Sequence, residues 1–404
     1  MTKPPKVYTP QFWLLCLSSL LFFASFNMII PKMPAYLTSL GGAEFKGLII
    51  SLFTITAMVS RPFSGKIADK VGRIPVMLFG TSVCVLISLL YPILSSVAGF
   101  LFLRFIHGFS TGFTPTGLTA YLADIVPYNK RGEAMGLLGT AGTVGMALGL
   151  AIGPGIANDF GLNVMFYCSS ATAVASIAVL FGIKETLVHK HKFSSEVFKI
   201  HKRDLLEPRV LITCIVMWLT TYSYGAVFTV IPDLCKHVGI YNEGLPFMFL
   251  TVASLSVRLI AGKASDRYGR RKVVMVSSSL VLISMVALGL SSTKQEVLIA
   301  ITIYGTGQGM TSPTLFAWAT DLSDEKHKGR GISSLYIFME MGIGIGAFLS
   351  GFIYANDASN FFVTFLTAGL LSGTALLYLI FTRLTGRPRV ETKTVTLTDV
   401  EQIP

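Results

Sequence analysis

Charge is scarce in this chain. Of its 404 residues only 13% are Asp, Glu, Lys or Arg, about half the share in an ordinary soluble domain. The polar coat that keeps a globular protein in water is therefore missing. Disorder is excluded too, since a disordered chain is poor in apolar residues and this one is 52% hydrophobic. Cysteine is sparse: Cys16, Cys84, Cys168, Cys214 and Cys235 are scattered with no C-x-x-C spacing, which indicates neither a disulfide framework nor a metal site. Enzyme signatures are absent as well, with no phosphate-binding P-loop, no H-E-x-x-H, no serine elbow on a strand-to-helix turn and no Cys–His spacing.

Long apolar runs are what the sequence has in excess. Mean hydropathy is +0.65, and the 38 Gly and 17 Pro suit membrane spans better than soluble helices. Runs of about 20 apolar residues occur at 11–37, 45–65, 75–97, 99–124, 133–157, 162–183, 210–235, 245–263, 273–291, 296–320, 332–355 and 360–382. The expectation is an all-α membrane protein with twelve spans. Lys3 and Lys6 before the first run mimic a secretory signal, but no small-residue cleavage site follows, so the run reads as the first span. One long polar stretch, 184–209, is basic and repeats Phe193, Val197 and Ile200 at helical spacing, which predicts an interfacial helix joining two halves. The organisation expected is a bundle over 1–183, the linker 184–209, a second bundle over 210–383 and a tail over 384–404.

The net charge of +12 would suit nucleic acid, but its distribution says otherwise. Alternating spans put 26 of the 33 Lys and Arg on the side of both termini. The opposite side receives only Lys32, Lys46, Lys236 and Lys294, and three arginines stay inside spans. Both termini and the linker are thus expected in the cytoplasm, and the charge reports topology.

The halves repeat. "RPFSGKIADKVGRIPV" at 61–76 aligns without a gap with "RLIAGKASDRYGRRKV" at 258–273, an offset of 197 residues. The same offset pairs Gly108 with Gly305, Gly112 with Gly309 and Asp124 with Asp321. Two parallel six-span repeats build transporters with a site between the halves near the midplane. The string "GKIADKVGR", in the same loop of both halves, resembles the cytoplasmic motif of the major facilitator superfamily. The resemblance covers nearly the whole chain and implies two six-helix bundles about a pseudo-two-fold axis. In that family the loop is implied to latch the halves on the cytoplasmic side through Gly65, Asp69, Gly72 and Arg73, and through Gly262, Asp266, Gly269 and Arg270. Gly65 and Gly72 are expected to allow tight turns, and Asp69 to cap a helix or meet a cation. Anchoring of span ends is the plainer alternative.

Span five carries Gly145, Gly149 and Gly153 at four-residue steps, then Pro154. Such a stripe lets helices pack backbone to backbone. It resembles the motif of the drug:proton antiporter branch, departing from it where Ala157 and Asn158 stand in place of paired glycines.

Candidate coupling residues are ionisable groups inside spans, which are expensive there. Arg104, in "LFLRFIHGFSTG", matches the family's span-four arginine and is implied to take part in proton coupling, with a structural hydrogen bond as its alternative role. His107, one turn on, can titrate near neutrality or simply pack. Glu340 is the one carboxylate clearly within a span, about a third of the way into span eleven. It is expected to carry the proton, with Arg104 as its sensor, or else to fix packing through an ion pair. Span one offers Asn27 where many relatives of this branch carry an acid. Phe26, Asn27, Tyr222 and Tyr224 are the expected cavity residues.

The function expected is secondary active transport. The favoured form is a proton-coupled antiporter exporting a small amphiphilic or lipophilic compound, of multidrug type, by alternating access. It would use no cofactor or metal beyond the proton gradient. A sugar, metabolite or lipid exporter on the same fold is the alternative, and a non-transporting membrane sensor the alternative of another class. The partners expected are the substrate, protons and the bilayer, with no nucleic acid. The resemblance implies a monomer in a cytoplasmic membrane, read as bacterial from the short loops.

Overall fold

The structure, a computed structural model, describes residues 8–127, 130–187, 206–323 and 328–385. Among these residues there are thirteen α-helices and no strand. The first half holds α1 (Pro10–Ile29), α2 (Met33–Ser39), α3 (Leu48–Lys70), α4 (Arg73–Leu90), α5 (Val97–Ile125), α6 (Arg131–Phe160) and α7 (Leu162–Leu180). The second holds α8 (Leu211–His237), α9 (Gly244–Tyr268), α10 (Arg270–Leu290), α11 (Lys294–Leu322), α12 (Lys328–Tyr354) and α13 (Phe361–Thr385). Helix α2 is the end of the first span, separated from α1 by a 3₁₀ turn at Ile30–Lys32. Pro31 and Pro34 explain the break, since neither can donate its backbone hydrogen bond.

The remaining twelve helices follow the twelve apolar runs. Among the described residues nine are long and apolar enough to cross a membrane unaided, and a tenth, α9, qualifies across a 46° bend between Arg258 and Ile260. The two that fall short are α5 and α11, which occupy equivalent places in the repeat. Both are sheathed by neighbours and carry buried polar groups, among them Arg104, His107 and Ser110 in one and Gln308 and Thr311 in the other. The predicted linker helix with Phe193, Val197 and Ile200, and the tail from residue 386, lie outside the described residues.

Lipid gives helices no hydrophobic reason to associate, so contact has to come from close packing. The glycine stripe of α6 supplies it: a Cβ on Gly145, Gly149 or Gly153 would collide with the carbonyl oxygens of Leu20, Ala24 and Met28 on α1. The second half repeats the contact, with Gly342 and Gly346 of α12 against the backbone of Trp218 and Tyr222 on α8. Gly108 and Gly112 of α5 meet α3 at Phe53 and Ala57, and Gly305 and Gly309 of α11 meet α9 at Leu250 and Ser254. The four glycine pairs 145/342, 149/346, 108/305 and 112/309 are all offset by 197, and their partners on the neighbouring helix by 197 or 198, so the duplication preserves the packing surfaces.

This packing makes a local test. Gly149→Ala is expected to destabilise the folded protein by about 1–3 kcal/mol, the usual cost of overpacking, seen as a lower thermal midpoint in detergent. Gly155→Ala in the same helix, where nothing described lies within 4 Å, is expected to leave the midpoint unchanged or slightly raised.

Candidate functional site

Glu340 lies midway along α12 and is nearly inaccessible, and its partner comes from the other half of the molecule. Arg61 Nη2, on α3, donates to Glu340 Oε1 at 2.6 Å. The guanidinium of Arg61 also sits over the Tyr336 ring at 4.5 Å, one turn before Glu340. The pair therefore crosses the seam between the bundles. Its counterpart in the duplication is legible in the numbering: adding or subtracting 197 turns Arg61 into Arg258 and Glu340 into Thr143. In the structure Arg258 Nη1 on α9 donates to Thr143 Oγ1 on α6 at 3.3 Å. One half of the duplication thus keeps a carboxylate where the other has only a hydroxyl.

Arg104 has other partners than Glu340. Its Nε donates to the Ile49 carbonyl at 2.8 Å, and Nη1 lies 3.4 Å from the Tyr91 hydroxyl. Its guanidinium stacks on Phe53 at 4.7 Å. His107 shares Tyr91, at 3.2 Å from Nδ1, and reaches Cys84 Sγ through Nε2. Both residues lie in the fully packed interior of the first half, where their hydrogen bonds tie α3, α4 and α5. Among the described residues the ion-pair partner of Glu340 is Arg61, not Arg104. Arg61 was not among the expected site residues, although its place within the apolar run 45–65 is the sequence signal that marks it.

The expected cavity residues separate in the same way. Asn27 Nδ2 donates to the Phe23 carbonyl of its own helix at 2.8 Å, and Phe26 stacks on Phe53. Tyr222 is buried against α12. Tyr224 reaches across the seam, its hydroxyl 3.4 Å from Met146 Sδ of α6 and its ring stacked on Phe228 at 4.4 Å.

The basic loop motif works within each half. Arg73 bonds Asp69 at 2.6 Å and Asp124 at 3.0 Å, joining α3, α4 and α5. Arg270 repeats this with Asp266 and with Asp321. Gly72 and Gly269 precede α4 and α10 at φ of 147° and 93°, a backbone that strongly favours glycine. Gly65 departs from its expected role as a turn residue: it lies inside α3, and no described atom is within 4 Å of a Cβ built there. The same holds at Gly262, Gly136 and Gly139, so at these positions near the basic end α3, α6 and α9 touch no other described element.

The opposite end is sealed. Lys32 Nζ bonds Glu243 at 2.7–2.9 Å, and Lys46 bonds Asp233, all four side chains being almost inaccessible. Gly47 packs on the backbone of Ala347 and Phe348, and Gly244 packs on that of Leu150 and Ala151. Asn356 Nδ2 reaches the Ala43 carbonyl at 2.8 Å. The duplication explains the arrangement. Ile-Pro-Lys at 30–32 recurs as Ile-Pro-Asp at 231–233, and Lys-Gly-Leu at 46–48 recurs as Glu-Gly-Leu at 243–245. Exchanging the halves converts one ion pair into the other with the signs reversed.

A cavity of about 420 Å³ lies in the α3–α12 seam, lined by Ser51, Thr54, Met58, Gly344 and Ile345, with Glu340 in its wall. Half-exposed Ile55 and Phe348 also line it, so it opens sideways from the bundle.

With this geometry in hand the relatives become informative. Residues 15–255 and 214–399 each match the family Major Facilitator Superfamily. The multidrug resistance protein MdtG of Klebsiella pneumoniae (strain 342) is 26% identical over 358 residues, 85% of this chain and 86% of that protein. Multidrug resistance protein 2 of Bacillus subtilis (strain 168) is 27% identical over 268 residues, 63% of this chain and 66% of that one. A crystal structure of a D-xylose–proton symporter superposes with a TM-score of 0.74 at 16% identity, covering 91% of this chain and 96% of that chain. The chain belongs to the major facilitator superfamily: it is a multi-pass membrane transporter, not an enzyme.

Two mutational cycles follow. Arg61→Gln or Glu340→Gln alone leaves a buried charge unpaired and is expected to cost about 3–5 kcal/mol. The double variant should recover most of that, measured as thermal stability in detergent. At the sealed end, Lys46→Asp is expected to raise labelling of a cysteine placed behind the seal. Combining it with Asp233→Lys should restore protection.

Proposed function

Because the chain is a member of this superfamily, we propose that it is a proton-coupled antiporter exporting a small amphiphilic or lipophilic compound by alternating access. The observation that carries the reading is the Arg61–Glu340 ion pair, a carboxylate held between the halves at mid-depth. Ionised Glu340 ties α12 to α3. A proton on Glu340 removes its charge and weakens that tie, which changes the relative stability of the two arrangements of the halves. Arg104 and His107 then support the fold of the first half, and the proton is carried by Glu340.

The basic end, with both termini, is the cytoplasmic face by the positive-inside rule. On that orientation the conformation described is closed to the outside, and the positions where α3, α6 and α9 touch no other described element face the cytoplasm. Cargo is loaded from within, and also from the bilayer through the lateral cavity beside Glu340. The loop motif latches the cytoplasmic side when the halves rock the other way. Export of drug-like compounds is supported by two relatives named as multidrug resistance proteins and by the α6 glycine stripe. The setting is a bacterial cytoplasmic membrane, with a monomer as the working unit. The sideways opening also favours a second reading, in which the cargo is itself a lipid.

Transport in proteoliposomes under an imposed pH gradient tests the proposal, with a panel of cationic, neutral and anionic amphiphiles. Gradient-driven flux is expected in the wild type and is expected to fall at least ten-fold in Glu340→Gln. Gradient-driven flux that survives Glu340→Gln removes the carrier role from this residue.

A further inference from the structure

We propose that the transported compound carries an acidic group, a carboxylate, sulfonate or phosphonate, and that Arg258 is the residue that receives it. The inference rests on the transport reading above and narrows its cargo.

The argument begins with the broken symmetry of the duplication. Arg61 and Arg258 are equivalent, as are Glu340 and Thr143, yet only the first pair is charge-compensated. Arg258 therefore spends one N–H on a hydroxyl at 3.3 Å, while its Nε is buried without a hydrogen-bond partner. No described carboxylate pairs with it. A guanidinium within a span is costly by at least about 2.5 kcal/mol on insertion scales, and an unsatisfied donor adds to that cost. A fold under no other demand would place a carboxylate at 143, as it does at 340.

Arg104 shows what a structural arginine looks like in this protein. It too lacks a carboxylate, but its donors end on the Ile49 carbonyl and the Tyr91 hydroxyl and its face is covered by Phe53. Packing encloses it on all sides, at 1% exposure. Arg258 differs in position as well as in partners. Gly262, one turn further along α9, and Gly139, one turn before Thr143, have no described atom within 4 Å of a built Cβ, so the Arg258–Thr143 contact lies beside the part of the α6–α9 seam that is not closed by described atoms.

The surroundings complete a receptor for an anion. Tyr224 and Tyr336 lie within electrostatic reach of Arg258, and Tyr336 also contacts Arg61. Arg61 has a buried Nε without a partner too. Among the described residues two guanidiniums and one carboxylate lie within electrostatic reach of Tyr336, an excess of one positive charge that an acidic cargo would neutralise. The planar fork of arginine suits a group with two or three equivalent oxygens. A proton on Glu340 would strengthen this site for an anion. By reciprocity a bound anion then favours the proton on Glu340, so exchange requires that the carrier holding both does not reorient.

The experiment builds the missing partner. Thr143→Glu places a carboxylate where Glu340 stands in the other half, and it is expected to compensate Arg258, keep or raise thermal stability, and weaken binding of anionic amphiphiles at least ten-fold. Arg258→Gln should weaken the same binding equally and Arg258→Lys less, all read by equilibrium binding in detergent with the panel used for transport. Unchanged anion binding in a stable Thr143→Glu protein overturns the assignment. Wild-type flux confined to cationic or neutral compounds also overturns it and leaves the exporter standing. Anion binding lost in Thr143→Glu, with no gradient-driven flux of any compound in the wild type, upholds the anion site and removes the proton-coupled exporter.

Discussion

A polar group inside a bilayer has no water to fall back on, so its partner must come from the protein or its cargo. Three arginines within spans show how far this constraint shapes the molecule. Arg104 is satisfied by a carbonyl, a hydroxyl and an aromatic face within one bundle, and the price is a region of α5 too polar to qualify as a span by itself. Arg61 is compensated in charge by a carboxylate of the opposite bundle, although its Nε is left without a partner, and the contact spans the seam between the bundles. Arg258 is satisfied only in part. On the function proposed above, the same chemistry serves packing, coupling and recognition, according to where the partner comes from.

Glycine does for shape what these residues do for charge. The contacts of α6 on α1 and of α12 on α8 are backbone to backbone, and rigid halves follow from them. The glycines facing the gap near the basic end touch nothing described, while Gly47 and Gly244 at the sealed end touch the opposite half. Small residues of one type are therefore used in two ways. Those within a half are permanently engaged, and those between halves can be engaged at one end while free at the other, as rocking about a fixed centre requires.

Much of the fold was legible because its signals are local. Each apolar run became a helix, and the 197-residue repeat pointed to surfaces that the structure uses in both halves. Glu340 stood out as a carboxylate in an apolar run. Its partner did not, because the direction in which Arg61 points across the seam depends on how two bundles meet, and helical periodicity carries no information about that. Arg104 was the expected sensor from its match to the family's span-four arginine, yet α5 turns it into its own bundle. Gly65 read as a turn from its motif, whereas α3 runs straight through it and only Gly72 has the positive φ. The sealed end was written in the repeats Ile-Pro-Lys/Ile-Pro-Asp and Lys-Gly-Leu/Glu-Gly-Leu, but short strings of this kind acquire meaning only once their charges are seen to meet.

The sign reversal in those strings has a consequence for the open state. When Lys32 and Lys46 part from Glu243 and Asp233, the first half carries away both cations and the second half both anions. The mouth that forms then has a cationic first-half wall facing Glu243 and Asp233, the latter partly offset by Lys236 of its own helix at 3.6 Å, with a field running from wall to wall across the opening. A dipolar molecule leaving through it would be turned to lie across the opening. Dissolved salt, by screening the facing charges, would lower the work of separating them, so the ease of opening would follow the ionic strength of the medium outside.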